Sequence, residues 1–173
     1  MSERTVCVDA TTLIDLGNIG ELGLLRNFDG EVLVLPAVRK EVTTEPARKN
    51  LEAFVASDEV KTEDSACEEA LDESREVLGE DEENGDVWIL AGVLAHNEAA
   101  VVSDDRRVRT VADGLGATVT GTVGVVVRAV EEGMSEKEGK GLVRRIDGDG
   151  LHMTAELREK AYELVEKTAT DGS

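Results

Sequence analysis

The chain has 173 residues, enough for one domain with a sizeable apolar core and some helical additions. Its 38 acidic residues outnumber 19 basic ones, and the net charge of −19 is spread along the whole sequence. No apolar run reaches the length of about 18 residues that a membrane span requires, and the N-terminal residues lack the apolar segment of a signal peptide. We therefore expect a soluble, cytoplasmic protein with no membrane partner.

The high acidic charge favours a salt-rich environment. Self-repulsion of this size destabilises a compact protein in dilute buffer. Concentrated salt screens it, because the Debye length falls to about 3 Å at 1 M ionic strength. We interpret the charge as a sign of a halophilic archaeal origin. The alternative is an ordinary acidic protein that avoids nucleic acid.

Cysteine and histidine are scarce and widely spaced. Cys7 and Cys67 do not have the spacing of metal ligands, and we expect both to be reduced thiols. His96 and His152 are isolated in the sequence, so a surface or core role is expected for each. Aromatic residues make up only 2% of the chain, so aliphatic side chains and alanine must build the core.

The first half of the chain predicts two strands and the helices that follow them. Pro36 suits the first turn of a helix, because its fixed backbone angle matches that position. An acidic segment, residues 58–84, is expected to mix exposed helix with loop. The predicted strands are 5–8 (TVCV) and 31–36 (EVLVLP), and the predicted helices lie within 10–28, 36–42 and 47–56.

The second half continues the alternation of helices and strands. Asn84 is a suitable cap for the apolar helix 86–95, and Gly114 or Gly116 is expected to end the helix that starts at Arg106. Strands are predicted at 99–103 (AAVVS) and 117–121 (ATVTG). This pattern predicts a three-layer α/β/α sandwich with a mainly parallel central sheet.

Beyond residue 121 only helices are predicted. Ser135 and Glu138 have the spacing of a capping box at the start of one of them. The last helix has an apolar face formed by Leu157, Ala161, Leu164 and Val165. We divide the chain into an α/β domain, residues 1–122, and a helical extension packed on it, residues 123–173.

Several carboxylates are expected to meet at one edge of the sheet. Ligands of parallel α/β sheets bind outside the carboxyl ends of the strands. Asp9 and the pair Asp104–Asp105 follow strands directly, while Glu41 and Asp86 lie early on helices. Oxygen ligands without histidine or cysteine suit Mg²⁺ or Mn²⁺. Such an ion activates water for hydrolysis of a phosphodiester.

Each of these residues also has a local structural interpretation. Asp86 could interact with a helix dipole, and Glu41 could be a solvated acid on a helix surface. The aspartates after the strands could be caps of turns or helices. Ser103 could bond to the backbone or orient a carboxylate.

Three stretches together resemble the PIN domain, a nuclease family. VCVDATTLIDL resembles the opening strand with its aspartate, and LPAVRKEV resembles the segment with its glutamate. ENGDVWILAGVLAHNEAAVVSDDRRVRTVADGLG resembles the second half, where an acid opens a helix and the next strand ends in a Ser/Thr-x-Asp motif. The double aspartate is similar to the archaeal ribosome-biogenesis PIN nuclease. The ending GATVTGTVGVVVRAVEEG is more similar to an uncharacterised prokaryotic PIN-like subfamily adjacent to toxin ribonucleases.

The resemblance implies a Mg²⁺- or Mn²⁺-dependent ribonuclease. The acids implied to hold one or two ions are Asp9, Glu41, Asp86 and either Asp104 or Asp105, and Ser103 belongs to the same catalytic motif. That subfamily has a Gly-Glu-x-Glu run before the central helix, which this chain lacks. Glu83 is therefore the alternative to Asp86 as the third acid.

Basic residues beside these acids are candidates for RNA contacts. They are Arg39, Lys40, Arg106, Arg107 and Arg109. The alternative is that they form ion pairs with neighbouring acids. A homodimer is the usual PIN arrangement, and a toxin-like ribonuclease implies an antitoxin-like protein partner.

Two other functions remain open. A non-catalytic PIN-like protein could keep the fold and act through a protein partner, docked on the last helix. A receiver-type phosphoacceptor domain also clusters aspartates around Mg²⁺. Its acidic pair follows the first strand, whereas here the pair follows the third predicted strand. It also needs a late lysine, and no lysine occurs between Lys61 and Lys137.

Overall fold

A computed structural model describes residues 4–149 and 153–172, so His152 lies outside the described residues. Five parallel strands form one sheet in the order β3-β2-β1-β4-β5. They are β1 (Thr5–Val8), β2 (Glu31–Leu33), β3 (Val60–Lys61), β4 (Ala99–Val102) and β5 (Thr118–Thr120). The predicted α/β architecture with a parallel sheet is confirmed.

Helices connect the strands and continue after the last one. Before β4 they are α1 (Ala10–Asn18), a 3₁₀ helix (Leu22–Asn27), α2 (Pro36–Glu41), α3 (Ala47–Val55), α4 (Ser65–Glu69), α5 (Leu71–Leu78) and α6 (Gly85–Ala95). After β4 they are α7 (Arg106–Gly114), α8 (Thr122–Glu131), α9 (Glu136–Asp149) and α10 (Ala155–Asp171). Among the described residues, no helix is long and apolar enough to span a bilayer.

The two central strands are buried on both faces. Every residue of β1 and β4 is buried, which explains why both segments are continuous apolar runs rather than alternating ones. Helix α6 packs against both strands and against α4 and α5. It is therefore apolar on nearly all sides, and its side chains Val87, Ile89 and Leu90 are almost completely buried.

The predicted elements differ from the structure in two places. The acidic segment 58–84 contains β3, a strand of two residues at the sheet edge, where only helix and loop were expected. Two residues are too few to show an alternating pattern. The helical region 10–28 is also divided, because α1 ends at Asn18 and Gly20 has a φ of 72°. Glycine adopts that left-handed conformation without strain.

The C-terminal helices pack on one another and on the sheet domain. Helix α8 contacts α1 and the 3₁₀ helix, and α10 lies against α8 and α9. Ser135 accepts a hydrogen bond from the Glu138 backbone N–H at 3.1 Å, as the capping pattern predicts. On α10, Ala161 and Val165 are buried. The division of the chain at residue 122 stays a prediction.

A close contact between α6 and β1 gives a stability prediction. A Cβ atom added at Gly92 would lie 2.8 Å from the buried Cys7 Sγ, whereas one at Gly141 would meet nothing within 4 Å. We expect Gly92→Ala to lower the free energy of unfolding by about 1–3 kcal/mol through overpacking. Gly141→Ala should raise it by about 0.5–1 kcal/mol through helix propensity. Urea unfolding in concentrated KCl measures both, and equal effects of the two variants would contradict the packing of α6.

Candidate metal centre

The sheet has a topological switch point between β1 and β4. In the sheet, β2 and β3 lie on one side of β1, and β4 and β5 lie on the other side. Ligand sites of open parallel sheets lie in the crevice outside the carboxyl ends of the strands at such a point. Asp9 follows β1 and Ser103 follows β4, so both lie at this crevice.

Asp9 is buried and fixed by hydrogen bonds through both of its oxygens. Its Oδ1 accepts from the Thr12 N–H at 2.9 Å, which caps α1, and its Oδ2 accepts from Ser103 Oγ at 2.6 Å. Ser103 Oγ also accepts from the Asp105 N–H at 3.1 Å. Ser103 thus performs both roles considered for it, orienting a carboxylate and bonding to the backbone. Burial raises the pKa of Asp9, against the lowering effect of its hydrogen bonds.

Glu41 reaches the same crevice from the end of α2. Its Oε1 accepts from the Gly85 N–H at 2.8 Å, at the start of α6. A Cβ atom at Gly85 would lie 2.8 Å from both oxygens of Glu41. The absence of a side chain at Gly85 therefore allows the carboxylate to lie next to Asp86.

Asp86 lies among the other acids. It is half-buried in the first turn of α6. Its pKa is raised first by burial and then by the negative charges of Asp105, Glu41 and Asp9. The alternative acid, Glu83, is exposed and forms an ion pair with Arg75 at 3.2 Å. Asp86 is therefore the acid that joins the other three, and we call Asp9, Glu41, Asp86 and Asp105 the carboxylate centre.

The two adjacent aspartates have different partners. Asp105 caps α7, because its Oδ1 accepts from the Val108 N–H at 3.1 Å. Asp104 instead binds the first residue of α8: its Oδ1 accepts from the Thr122 N–H at 3.0 Å, and its Oδ2 accepts from Thr122 Oγ1. A Cβ atom at Gly121 would lie 2.3 Å from Asp104 Oδ1, so glycine is needed there. Asp104 thus holds α8, while Asp105 faces Asp86.

Three further residues at this edge were not among the predicted site residues. Thr12 and Thr122 are fully buried, and their hydroxyl oxygens lie 3.3 Å apart, so α1 and α8 are joined beside Asp9. Asp15 on α1 is also buried, and its Oδ2 has no hydrogen-bond partner in the described part of the chain. Burial, followed by the charges of Asp104 and Asp9, raises the pKa of Asp15 to about 6. Its position between Leu13 and Leu16, on the buried side of α1, is the signal that could have revealed it.

Comparison with known protein families matches residues 5–167 to a family described as a PIN domain. The chain belongs to the PIN-domain family. Membership agrees with the parallel sheet and with the acids at its switch point, and it supports a metal-dependent nuclease in general terms. No curated protein and no solved structure gives a significant match.

The carboxylate centre of this PIN domain has free ligand oxygens. Glu41 and Asp105 each use one oxygen for a backbone N–H. Within residues 4–149 and 153–172, the second oxygen of each, and the whole carboxylate of Asp86, accepts no hydrogen bond from the protein. An all-oxygen set suits a hard divalent cation. Such a cation would also relieve the burial and repulsion that raise the pKa of Asp9 and Asp86.

The basic residues near the centre form two groups. Arg39 pairs with Glu52, and Arg107 pairs with Glu80 at 2.8 Å and donates to the Leu78 carbonyl. In the described ranges, no carboxylate lies within 4 Å of the remaining basic candidates, Lys40, Arg106 and Arg109. Ion pairing thus accounts for two of the five, and three keep an unpaired charge.

The raised pKa of Asp15 makes stability depend on pH. The stabilising contribution of its protonated form is complete below the ordinary pKa of 3.8 and is lost as the pH rises through about 6. We expect the free energy of unfolding of the wild type to fall by about 2 kcal/mol between pH 4 and 7 relative to Asp15→Asn. Urea unfolding in concentrated KCl with EDTA measures this difference.

Asp58→Asn is the matched control, since Asp58 is an exposed acid in the turn before β3. The free energy of unfolding of Asp58→Asn should change with pH in the same way as that of the wild type. If the free energy of unfolding of Asp15→Asn also changed in this way, the burial of an unpartnered carboxylate at position 15 would be contradicted.

Proposed function

We propose that this PIN domain hydrolyses phosphodiester bonds of RNA, using Mg²⁺ or Mn²⁺ held by Asp9, Glu41, Asp86 and Asp105. The observation that supports this most strongly is the convergence of four carboxylates from separate elements, with the pKa of Asp9 and Asp86 raised. Carboxylates whose pKa is raised by burial and by neighbouring acids are typical of functional and cation-binding sites.

The hydrogen bonds around the centre hold its acids in position. When bound, a divalent ion polarises a phosphate oxygen and lowers the pKa of a bound water. Ser103 is a positioning residue, because its hydroxyl links the carboxylate of Asp9 to the backbone of Asp105. The Gly85 N–H performs the same role for Glu41. Asp104 contributes indirectly, by fixing Thr122 at the start of α8.

The RNA backbone would be bound by the basic residues that flank the centre. Lys40 precedes Glu41 and is exposed, while Arg106 and Arg109 follow Asp105 on α7. No carboxylate of the described residues forms an ion pair with them, so they are available for phosphate oxygens. A surface cavity of about 550 Å³ is lined by Arg39, Lys40 and Arg48, but also by Glu52 and Glu63, and none of the four acids of the carboxylate centre lines it. Of its basic residues, Lys40 is the one without an ion pair in the described ranges.

The biological setting is also part of the proposal. The acidic surface suits a cytoplasm with concentrated salt, as in a halophilic archaeon. In that setting salt weakens phosphate contacts, so positioning of the scissile phosphate would depend on the metal. We further propose a toxin-like or RNA-processing role, a homodimer, and an antitoxin-like protein that covers the carboxylate centre.

One observation favours a second candidate, a non-catalytic protein that acts through a partner. The predicted apolar face of α10 is divided: Leu157 and Leu164 are 43% and 39% exposed, although Ala161 and Val165 are buried. Exposed leucines on one helix are suited to contact with another protein. Absence of metal binding would favour this candidate over the nuclease.

Replacement of Asp9 tests the nuclease directly. Asp9→Asn removes a metal ligand, while the asparagine oxygen can still cap α1 through the Thr12 N–H. We expect cleavage of single-stranded RNA with Mn²⁺ to fall to background, with the thermal midpoint in EDTA unchanged or higher. Asp58→Asn makes the same change of charge in the turn before β3, at the end of the strands opposite to Asp9. It should cleave like the wild type.

Two results would contradict the proposal. The first is cleavage by Asp9→Asn at the wild-type rate, since a contaminating nuclease would then explain the activity. The second is an equal loss of cleavage in Asp58→Asn, which would mean that net charge matters and the carboxylate centre does not.

A separate substitution tests the RNA contact. We expect Lys40→Gln to weaken RNA binding several-fold and to reduce the dependence of binding on salt, because one phosphate contact is lost. Lys137→Gln, on α9, removes the same charge from an exposed residue and should leave binding unchanged. Fluorescence anisotropy of the Asp9→Asn protein with labelled RNA, measured over a range of KCl concentrations, separates the two variants. Identical affinities for both would contradict the contact.

A further inference from the structure

A second group of ligand-type side chains lies at the other end of α6. His96 follows the last residue of α6, Asp64 caps α4, and Cys67 lies within α4. The atoms Asp64 Oδ2, Cys67 Sγ and His96 Nε2 all lie within 4.8 Å of one another. His96 is isolated in the sequence, but the fold brings it next to Asp64 and Cys67.

We propose that Asp64, Cys67 and His96 form a zinc site. Thiolate, imidazole and carboxylate are the three side-chain ligands that Zn²⁺ takes, and such a mixed set with sulfur does not suit Mg²⁺ or Mn²⁺. Three protein ligands leave a fourth tetrahedral position for water. The set differs in chemistry from the all-oxygen carboxylate centre, so each would select its own metal.

The distances are close to those that tetrahedral zinc requires. His96 Nε2 lies 2.7 Å from Asp64 Oδ2 and 4.0 Å from Cys67 Sγ. Zinc bonds of about 2.0–2.1 Å to nitrogen or oxygen and 2.3 Å to sulfur separate such ligand pairs by roughly 3.3 and 3.6 Å. These two distances therefore have to change by less than about 1 Å. The imidazole at the end of α6 can move this far by side-chain rotation. The third pair, Asp64 Oδ2 and Cys67 Sγ, lies within 4.8 Å.

The surroundings of the three side chains favour a bound cation. Asp64 Oδ1 accepts from the Ala66 N–H at 2.9 Å, which fixes the carboxylate and leaves Oδ2 to face His96. The side chain of Asp64 is 7% exposed, and Cys67 is fully buried. Lys61 Nζ lies 3.5 Å from Asp64 Oδ2, so a cation already occupies the outer side of the group. Lys61 is half-exposed and can turn into solvent when a metal binds.

The proton on Cys67 has a defined fate. Burial raises the pKa of this thiol to about 12, so it is protonated at neutral pH without a metal. Binding of Zn²⁺ forms a zinc–sulfur bond and releases that proton to solvent. No electron transfer and no other reactant are involved.

The zinc site is separate from the carboxylate centre in position as well as in chemistry. Asp86 lies at the first turn of α6 and His96 follows its last residue. Eleven helical residues span roughly 16 Å. A bound zinc would link α4 to the end of α6. It would thereby hold the acidic segment that precedes Asp86 against the core. This role does not rest on the proposed nuclease function.

Cobalt absorption spectroscopy tests the site, because Co²⁺ replaces Zn²⁺ in such sites and a thiolate ligand gives it a near-ultraviolet charge-transfer band. We expect a saturable band when CoCl₂ is added to the reduced protein, displaced by one equivalent of Zn²⁺. Cys67→Ser should lose the band. Cys7→Ser should keep it: Cys7, the other buried free thiol of the described chain, lies near Cys67 beside Gly92 but is not one of the three ligands.

Two more variants make the result decisive. His96→Gln changes a partly exposed side chain, so it should fold and should weaken Co²⁺ binding more than about tenfold, which is the effect of losing even an outer contact of a zinc site. Asp9→Asn should keep the band, which distinguishes this site from the carboxylate centre. The proposal is overturned if the wild type shows no saturable band, if Cys67→Ser keeps it, or if His96→Gln binds Co²⁺ as tightly as the wild type.

Discussion

Burial of carboxylates close to one another at the switch point of the sheet is the constraint on which the local structure depends. Asp9 and Asp86 both have a raised pKa, because each is withdrawn from water and lies near other acids. Hydrogen bonds from the Ser103 hydroxyl and the Thr12 N–H hold Asp9 there. Backbone N–H groups at helix starts hold Glu41 and Asp105, whereas Asp86 accepts none from the described residues. These hydrogen-bond donors fix the positions of the carboxylates but do not neutralise their negative charge. The remaining negative potential is what a divalent cation would bind.

Backbone N–H groups at the starts of helices position most of the acids of the carboxylate centre. Asp9 caps α1 and Asp105 caps α7. The Gly85 N–H, at the start of α6, donates a hydrogen bond to Glu41. Each acid thus satisfies an unpaired backbone donor and is aimed into the crevice by the same bond. Two glycines, Gly85 and Gly121, have no side chain where a carboxylate must approach the backbone closely. Local helix capping and the shape of the candidate centre are therefore the same set of contacts.

The sequence was sufficient for the features that depend on strong local patterns. Continuous apolar runs identified β1 and β4, and the acids after them were expected at one edge because parallel strands end together. The edge strand β3 was missed because two residues carry no period. The partners of Asp104 could not be predicted either, since they depend on where α8 begins in space. Asp64 and His96 are far apart in sequence, so no spacing revealed that they meet Cys67.

The most direct test of the carboxylate centre is Mn²⁺ binding, measured by calorimetry in concentrated KCl, which suppresses weak binding to the acidic surface. Asp86→Asn and Glu83→Gln form the decisive pair, because only the first acid lies among the other carboxylates. We expect saturable binding in the wild type and in Glu83→Gln, and its loss in Asp86→Asn. Saturable binding that survives in Asp86→Asn, or no saturable binding in the wild type, would contradict a metal site at the carboxylate centre.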